Sequence, residues 1–82
     1  MKRWTVVWSD VCVGDVRRMP WRLAANICAA VLEFAASGRG IVERTRLKDP
    51  NRLRIRVRGA EADVRCSVET RTLYVIRIHE RR

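Results

Sequence analysis

Four arginines alternate with three aliphatic residues between positions 52 and 58. Successive side chains of a β-strand point to opposite faces, so this spacing gathers the guanidinium groups on one face. Side chains on the same face are about 6.6 Å apart, close to the phosphate spacing of an extended nucleic-acid strand. The pattern predicts a surface that binds a polyanion backbone, and a solvated sheet edge is the alternative. The candidate substrate-binding residues are Arg54, Arg56, Arg58 and, from a later strand, Arg77.

His79 is the one histidine of the chain and lies between Arg77 and Arg81. Its unperturbed pKa near neutrality makes it the best general acid or base in this sequence. Arginine cannot fill that role because its pKa exceeds about 12, although it can stabilise a charged phosphorane. His79 is therefore the candidate catalytic acid or base, with Glu61 or Glu80 as a nearby carboxylate. A surface histidine without a role is the alternative.

The chain has 82 residues, a formal net charge of +9 and a pI near 11.2, and arginine supplies 16 of its 18 cations. This length predicts one domain over residues 1–82, without room for a second core. Arginine binds phosphate bidentately and stacks on bases, so the bias favours a nucleic-acid partner. Residues 1–38 hold five cations against three anions (+2), and residues 39–82 hold thirteen against six (+7). We expect the binding surface in the second half.

Cys12, Cys28 and Cys66 are far apart and stand among apolar neighbours. No CxxC pair or Cys/His cluster is present, so the sequence indicates no metal and no cofactor. We interpret the cysteines as reduced core thiols of a cytoplasmic protein, and a catalytic cysteine beside His79 as the less favoured alternative. The polar Ser9-Asp10 pair argues against a signal peptide, and the apolar stretch 23–36 is too short to span a membrane.

The first half of the chain predicts one strand and two helices. Residues 4–8 are β-branched and aromatic, which is typical of a strand. Ser9 or Asp10 can cap a helix that runs to about residue 19, with Asp15 in solvent. Pro20 suits the first position of a second helix, which Gly38 ends. This second helix is apolar over most of its circumference, so it needs cover from the sheet, from the first helix and, as one option, from a partner.

The second half predicts three strands, at residues 52–58, 62–68 and 72–78, with no assignment for residues 41–48. A loop at residues 59–61 separates the first two strands, and pairing them around it sets Arg58 opposite Asp63 and Arg56 opposite Arg65. The second pair is a like-charge contact that a bound phosphate would relieve. If Tyr74, Ile76 and Ile78 point to the core, the remaining side chains of the sheet form one basic floor. That floor consists of Arg56, Arg65, Arg77, His79 and Arg81.

The expected fold is α+β: an N-terminal strand, a helical hairpin, then a three-stranded antiparallel meander, with the helices packed on one face of the sheet. This order resembles the RelE/ParE superfamily of toxin–antitoxin system toxins. Two stretches carry the resemblance, the basic strand with its turn glycine at 52–59 (RLRIRVRG) and the last strand with its basic exit at 70–82 (TRTLYVIRIHERR).

The resemblance implies one of two functions. RelE-type members are ribosome-dependent mRNA endonucleases, so a catalytic member would leave 2′,3′-cyclic phosphate ends. ParE-type members inhibit DNA gyrase, and the alternative is accordingly a non-catalytic module of that kind or a plain nucleic-acid-binding protein. By resemblance Arg54 and Arg56 contact the substrate backbone, and Arg81 stabilises the phosphate. The family places Tyr-Arg after the turn glycine where this chain has Ala60-Glu61, so Arg65 is the candidate for that catalytic arginine.

The resemblance also implies an acidic antitoxin protein as a partner, besides RNA or the ribosome. The apolar face of the second helix and three tryptophans in a small core favour docking of an antitoxin helix or strand. The alternative is that the tryptophans are simply core, which we favour for at least two of them. A homo-oligomer is also left open. No membrane partner is expected.

Overall fold

The computed structural model describes residues 3–44 and 51–81. Its elements, in chain order, are β1 (Thr5–Trp8), α1 (Asp10–Arg17), α2 (Trp21–Ser37), β2 (Ile41–Arg44), β3 (Arg52–Val57), β4 (Ala60–Ser67) and β5 (Thr72–Glu80). The strands form one sheet in the order β1-β5-β4-β3-β2. The Asp49-Pro50-Asn51 sequence is a signal for a turn, and this prediction lies largely outside the described residues, as do residues 45–48.

The α+β architecture is confirmed, with two corrections to the sheet. β1 pairs with β5 in parallel, so the sheet is mixed, while the four strands from β2 to β5 pair antiparallel. β2 is an additional edge strand that its short, charged sequence did not predict. β5 has strands on both sides, and its sequence over residues 72–78 is apolar on both faces, which is typical of a central strand.

Local signals determine where the helices begin and end. The Ser9 hydroxyl accepts a hydrogen bond from the Cys12 N–H (3.1 Å) and donates one to the Ile76 carbonyl (2.9 Å), so it caps α1 and fastens it to β5. Pro20 is the N-cap of α2 and not its first residue, so the helix begins at Trp21, one residue later than predicted. Gly38 ends that helix with a φ of 74°, a left-handed conformation that glycine adopts without strain.

The hydrophobic core lies between the helices and one face of the sheet. α2 contributes Ala24, Ile27, Val31 and Ala35, all buried, and Cys12 of α1 is fully buried as well. The sheet contributes Ile55, Ala60, Ala62, Val64, Leu73, Val75 and Ile78. Fully burying a side chain of this size stabilises the fold by about 1.5–3 kcal/mol. Since these residues occupy the helix-facing side of the strands, the alternate side chains point to the opposite face, which neither α1 nor α2 covers and which we call the helix-free face.

The turn between β3 and β4 is tighter than expected, which changes the strand register. Only Arg58 and Gly59 form it, with Gly59 at a φ of 90°, so Ala60 already belongs to β4. The predicted pairs, Arg58 with Asp63 and Arg56 with Arg65, are therefore wrong. Arg56 faces Glu61, and Arg54 faces Asp63. Each of these arginines now has an acid across the strand, which is a favourable cross-strand arrangement.

An irregularity between β4 and β5 explains a second error. Asp63 pairs with Arg77 and Val64 with Val75, so Ile76 is an extra residue on β5. Such a bulge shifts the alternation of side chains by one position. Before it, Leu73 and Val75 are buried and Tyr74 is exposed, the reverse of our prediction. After it, Ile78 is buried as predicted. The predicted side-chain directions are therefore wrong before the bulge and correct after it.

Two of the three tryptophans pack against the core, as favoured from the sequence. Trp4 and Trp8 are partly buried there, whereas Trp21 at the start of α2 is 74% exposed. A groove of about 630 Å³ runs along β1 and α2 and is lined partly by Trp4, Trp8 and the exposed Leu32. Among the residues that the structure describes, no helix is long and apolar enough to cross a membrane.

Candidate functional site

A cluster of charged side chains occupies the helix-free face of the sheet. β3 and β4 each contribute two members, β5 contributes one, and one residue lies just beyond the end of β5, because alternate residues of neighbouring strands come side by side on one face. We call the set the charged cluster, and it consists of Arg54, Arg56, Glu61, Asp63, His79 and Arg81. The face is therefore a mixed surface, with two carboxylates on the central strand between cations on either side.

Glu61 lies at the centre of the arginines. Its Oε2 is 3.5 Å from the Arg56 Nε and 3.6 Å from the Arg81 Nε, and its Oε1 is 3.7 Å from the Arg54 Nε. The Glu61 side chain is only 13% exposed, so water screens these contacts less than it would on an open surface. Glu61 thus holds three guanidinium groups together and also competes with any anion that would bind them.

Asp63 connects His79 to the arginines. One carboxylate oxygen accepts a hydrogen bond from the Arg54 Nε at 3.1 Å, and the other lies 3.3 Å from the His79 Nε2. A carboxylate in this position fixes the orientation of an imidazole ring. The His79 side chain is 42% exposed, so it can be reached from solvent. The pair has the geometry of a proton-transfer group supported by its orienting acid.

Arg77 is bound to Asp15 of α1 and not to the charged cluster. Its Nε and Nη2 donate hydrogen bonds to the two carboxylate oxygens at 2.9 and 3.1 Å, and the Ile78 N–H donates to Asp15 as well, at 3.0 Å. Asp15 is buried, so its predicted exposure to solvent is wrong. The hydrogen bond from Arg77 lowers the pKa of Asp15 and raises that of Arg77. This contact fixes α1 to β5 just beyond the end of β1.

The structure brings together some of the predicted site residues and separates others. Arg54, Arg56, His79 and Arg81 meet in the charged cluster. Arg58 is in the turn, Arg77 is held by Asp15, and Arg65 lies opposite Tyr74, so the single basic floor expected from the sequence is not formed. Glu61 or Glu80 was predicted as the carboxylate beside His79, whereas that carboxylate is Asp63, which was not predicted as a member. The alternation of Glu61 and Asp63 with Ala60 and Ala62 was the available signal, but the assumed loop removed Glu61 from the strand.

Cys12, Cys28 and Cys66 are free thiols. Burial raises the pKa of Cys66 and is the main cause of the raised pKa of Cys28, so both stay protonated near neutral pH. Within residues 3–44 and 51–81, no group of three or more His, Cys, Asp or Glu side chains could hold a metal ion.

The fold is similar to that of RelE toxins of known structure. A mutant of E. coli toxin RelE in the free state superposes with a TM-score of 0.77 at 16% identity, covering 96% of this chain and 84% of that one. The RelBE2 toxin–antitoxin complex from Mycobacterium tuberculosis gives 0.74 at 23% identity over 99% of this chain and 94% of that one. A RelB–RelE complex from Methanococcus jannaschii gives 0.73 at 15% identity over 90% and 88%.

The resemblance lies in the fold, at these levels of identity. No family model matches the sequence, and no curated protein gives a significant match. The function must therefore be argued from this chain's own residues.

Proposed function

We propose that the chain is a RelE-type toxin that cleaves RNA, on the ribosome, through the charged cluster. The observation that carries the proposal is the His79–Asp63 pair beside Arg54, on the open face of a RelE-like sheet. An oriented imidazole supplies proton transfer, and adjacent guanidinium groups supply positive charge where the phosphorane develops. Both requirements for RNA cleavage are met within one patch of the sheet.

The reaction proceeds by attack of a 2′-hydroxyl on the adjacent phosphorus. His79 accepts the hydroxyl proton as that oxygen forms its new bond to phosphorus, and the protonated imidazole then gives the proton to the 5′-oxygen of the next nucleotide as the bond between phosphorus and that oxygen breaks. The products are a 2′,3′-cyclic phosphate and a free 5′-hydroxyl. We assign proton transfer to His79 and the orientation of its ring to Asp63. Arg54, Arg56 and Arg81 stabilise the additional negative charge of the phosphorane.

A non-catalytic binding module is the second candidate, acting on gyrase as ParE-type toxins do or on nucleic acid alone. Glu61 favours it, because this carboxylate sits among the three arginines that the cleavage proposal needs. A binding module needs only net attraction to its target and no proton-transfer group. Under this alternative, replacing an arginine weakens binding and no RNA product forms.

The test is cleavage of mRNA on translating ribosomes, with the new ends analysed chemically. We expect 2′,3′-cyclic phosphate ends with the wild-type protein and at least a hundred-fold slower cleavage with His79→Ala, since general acid–base catalysis contributes about 10²–10⁴-fold. Arg22→Ala is the matched control because Arg22 is exposed on α2, away from the cluster. Intact mRNA with the wild-type protein would leave only the binding module.

An acidic antitoxin is the proposed protein partner. Two of the similar structures are complexes in which a RelE-type toxin is bound to its antitoxin. The groove beside β1 and α2 offers Trp4, Trp8 and Leu32 to an apolar helix or strand, and the net charge of +9 favours an acidic chain. Size-exclusion chromatography of the protein alone tests whether its stability depends on the antitoxin. A stable, soluble monomer would count against that dependence.

A further inference from the structure

A second group of side chains on the helix-free face lies outside the charged cluster. Arg52 of β3 pairs with Arg65 of β4, and Arg65 pairs with Tyr74 of β5, so the three form a row across the sheet. Neighbouring strands are about 4.8 Å apart, which brings two guanidinium groups and a phenol ring within reach of one small ligand. Arg65 follows Asp63 by two residues on β4, about 6.6 Å along the strand.

The two arginines of this row form a like-charge pair. Like charges directly opposite each other destabilise a sheet, and the arginines of the charged cluster avoid this by facing acids. Within the part of the chain that the structure describes, neither the Arg52 side chain nor the Arg65 side chain has a hydrogen bond or an ion pair. The Arg52 Nε is buried without an acceptor. Leaving such a donor unsatisfied is costly, and an anion between the two guanidinium groups would accept from both.

Tyr74 presents an exposed aromatic ring beside that pair. Its side chain is 42% exposed although Leu73 and Val75, its neighbours in sequence, are buried. Tyr74 and Arg65 line a cavity of about 720 Å³, together with Asn51, Cys66, Ser67, Val68, Glu69 and Ile76. The volume is typical of sites for small ligands, and the Asn51 and Ser67 side chains are able to donate and accept hydrogen bonds.

We propose that Arg52, Arg65 and Tyr74 form a nucleotide subsite for single-stranded RNA, with a phosphate between the arginines and its base stacked on Tyr74. Unpaired bases in RNA-binding proteins commonly stack on aromatic side chains while cations track the backbone. The proposal rests on the proposed function, because the RNA strand that the charged cluster cleaves would extend into this subsite. The distance of about 6.6 Å along β4 corresponds to one nucleotide step of an extended strand.

The test measures the binding of two probes by fluorescence anisotropy, a uridine hexaribonucleotide and an abasic hexamer with the same ribose–phosphate backbone. Tyr74→Leu keeps the apolar bulk but removes the ring, whereas Tyr74→Phe keeps the ring. We expect Tyr74→Leu to lower the affinity for the uridine hexamer at least about five-fold, whereas Tyr74→Phe should keep nearly the wild-type affinity. Neither variant should change the affinity for the abasic probe. Circular dichroism confirms that each variant is folded.

Arg65→Ala tests the phosphate half of the subsite separately. We expect it to lower the affinity for both probes. The slope of log affinity against log salt concentration should also become shallower by about 0.7, the value for one single-strand phosphate contact. Arg22→Ala removes the same charge from α2, on the helical side of the protein, and should leave that slope unchanged.

Equal binding of the uridine hexamer by Tyr74→Leu and Tyr74→Phe, or an equal loss on the abasic probe, would overturn the subsite while leaving the cleavage proposal intact. Tighter binding of an acidic peptide than of either hexamer would assign the row of Arg52, Arg65 and Tyr74 to a protein partner and would also overturn the nucleotide subsite. Base-dependent binding without mRNA cleavage would support the subsite and reject the endonuclease. A wild-type protein that binds neither probe would overturn the subsite, whereas the cleavage proposal is decided by the assay on translating ribosomes.

Discussion

Replacing Glu61 by glutamine should make the protein bind RNA more tightly. The Glu61 carboxylate lies 3.5 and 3.6 Å from the Nε atoms of Arg56 and Arg81. A phosphate oxygen bound beyond these guanidinium groups would be about 7 Å from the carboxylate, where two negative charges repel by about 1 kcal/mol at an effective dielectric constant near 50. Removing that repulsion corresponds to about five-fold higher affinity.

The assay compares binding of single-stranded RNA by wild type, Glu61→Gln and Glu80→Gln over a range of salt concentrations. Glu80→Gln is the matched control, since it removes one negative charge from an exposed position at the end of β5. We expect the gain to be largest at low ionic strength, where the Debye length reaches about 30 Å at 0.01 M, and to shrink as salt screens the cluster. If Glu61→Gln gains no more affinity than Glu80→Gln, the arginines of the charged cluster do not bind the phosphates, and the reasoning fails.

Three further predictions concern the fold that holds the site. Asp15→Asn should lower the Tm by about 5 °C, because it removes the charged acceptor of Arg77; calorimetry at pH 7 measures this. Since the folded-state pKa of Asp15 is lowered, its stabilisation is present above the unfolded pKa and is lost as pH falls below about 4, so wild type and Asp15→Asn should converge in Tm there. Gly59→Ala should destabilise the protein by about 1 kcal/mol in urea unfolding, because Gly59 has a φ of 90° and an added Cβ would lie 3.3 Å from Leu23; unchanged stability would contradict the turn geometry. Ile27→Val should cost about 1 kcal/mol in the same assay, as expected for a fully buried side chain, and a neutral result would place Ile27 outside the core.

Much of the fold could be predicted because the relevant signals are local. Ser9 marks the start of a helix and Gly38 marks the end of one, and both signals can be recognised from a few neighbouring residues. The alternation of arginine and aliphatic residues from residue 52 onwards likewise predicts a strand without knowledge of its partners. β2 could not be predicted in this way. Its four residues become a strand through pairing with β3, and pairing partners are not encoded in a short charged segment.

The composition of the candidate site was less predictable, because it depends on register. Residues 59–61 have the composition of a loop, yet the chain turns over two residues, and that difference places an acid opposite Arg56 in place of Arg65. The bulge at Ile76 then exposes Tyr74. A shift of one residue in register moves every side chain of a strand to the other face of the sheet. A prediction that places the strands correctly but their register wrongly therefore still puts the surface groups on the wrong face. The outward direction of His79 was predicted correctly since it follows the bulge.

The parallel pairing of β1 with β5 joins two segments from opposite ends of the sequence. β5 also separates β1 from β4, so β1 has no partner and β4 pairs only with β3 until residues 72–80 have been synthesised. Chains grow at about 5–20 residues per second and contacts distant in sequence form late, so the nascent polypeptide lacks the complete sheet until β5 has emerged. His79 and Arg81 therefore join the charged cluster after its other four members, and premature termination before β5 yields a product that lacks both.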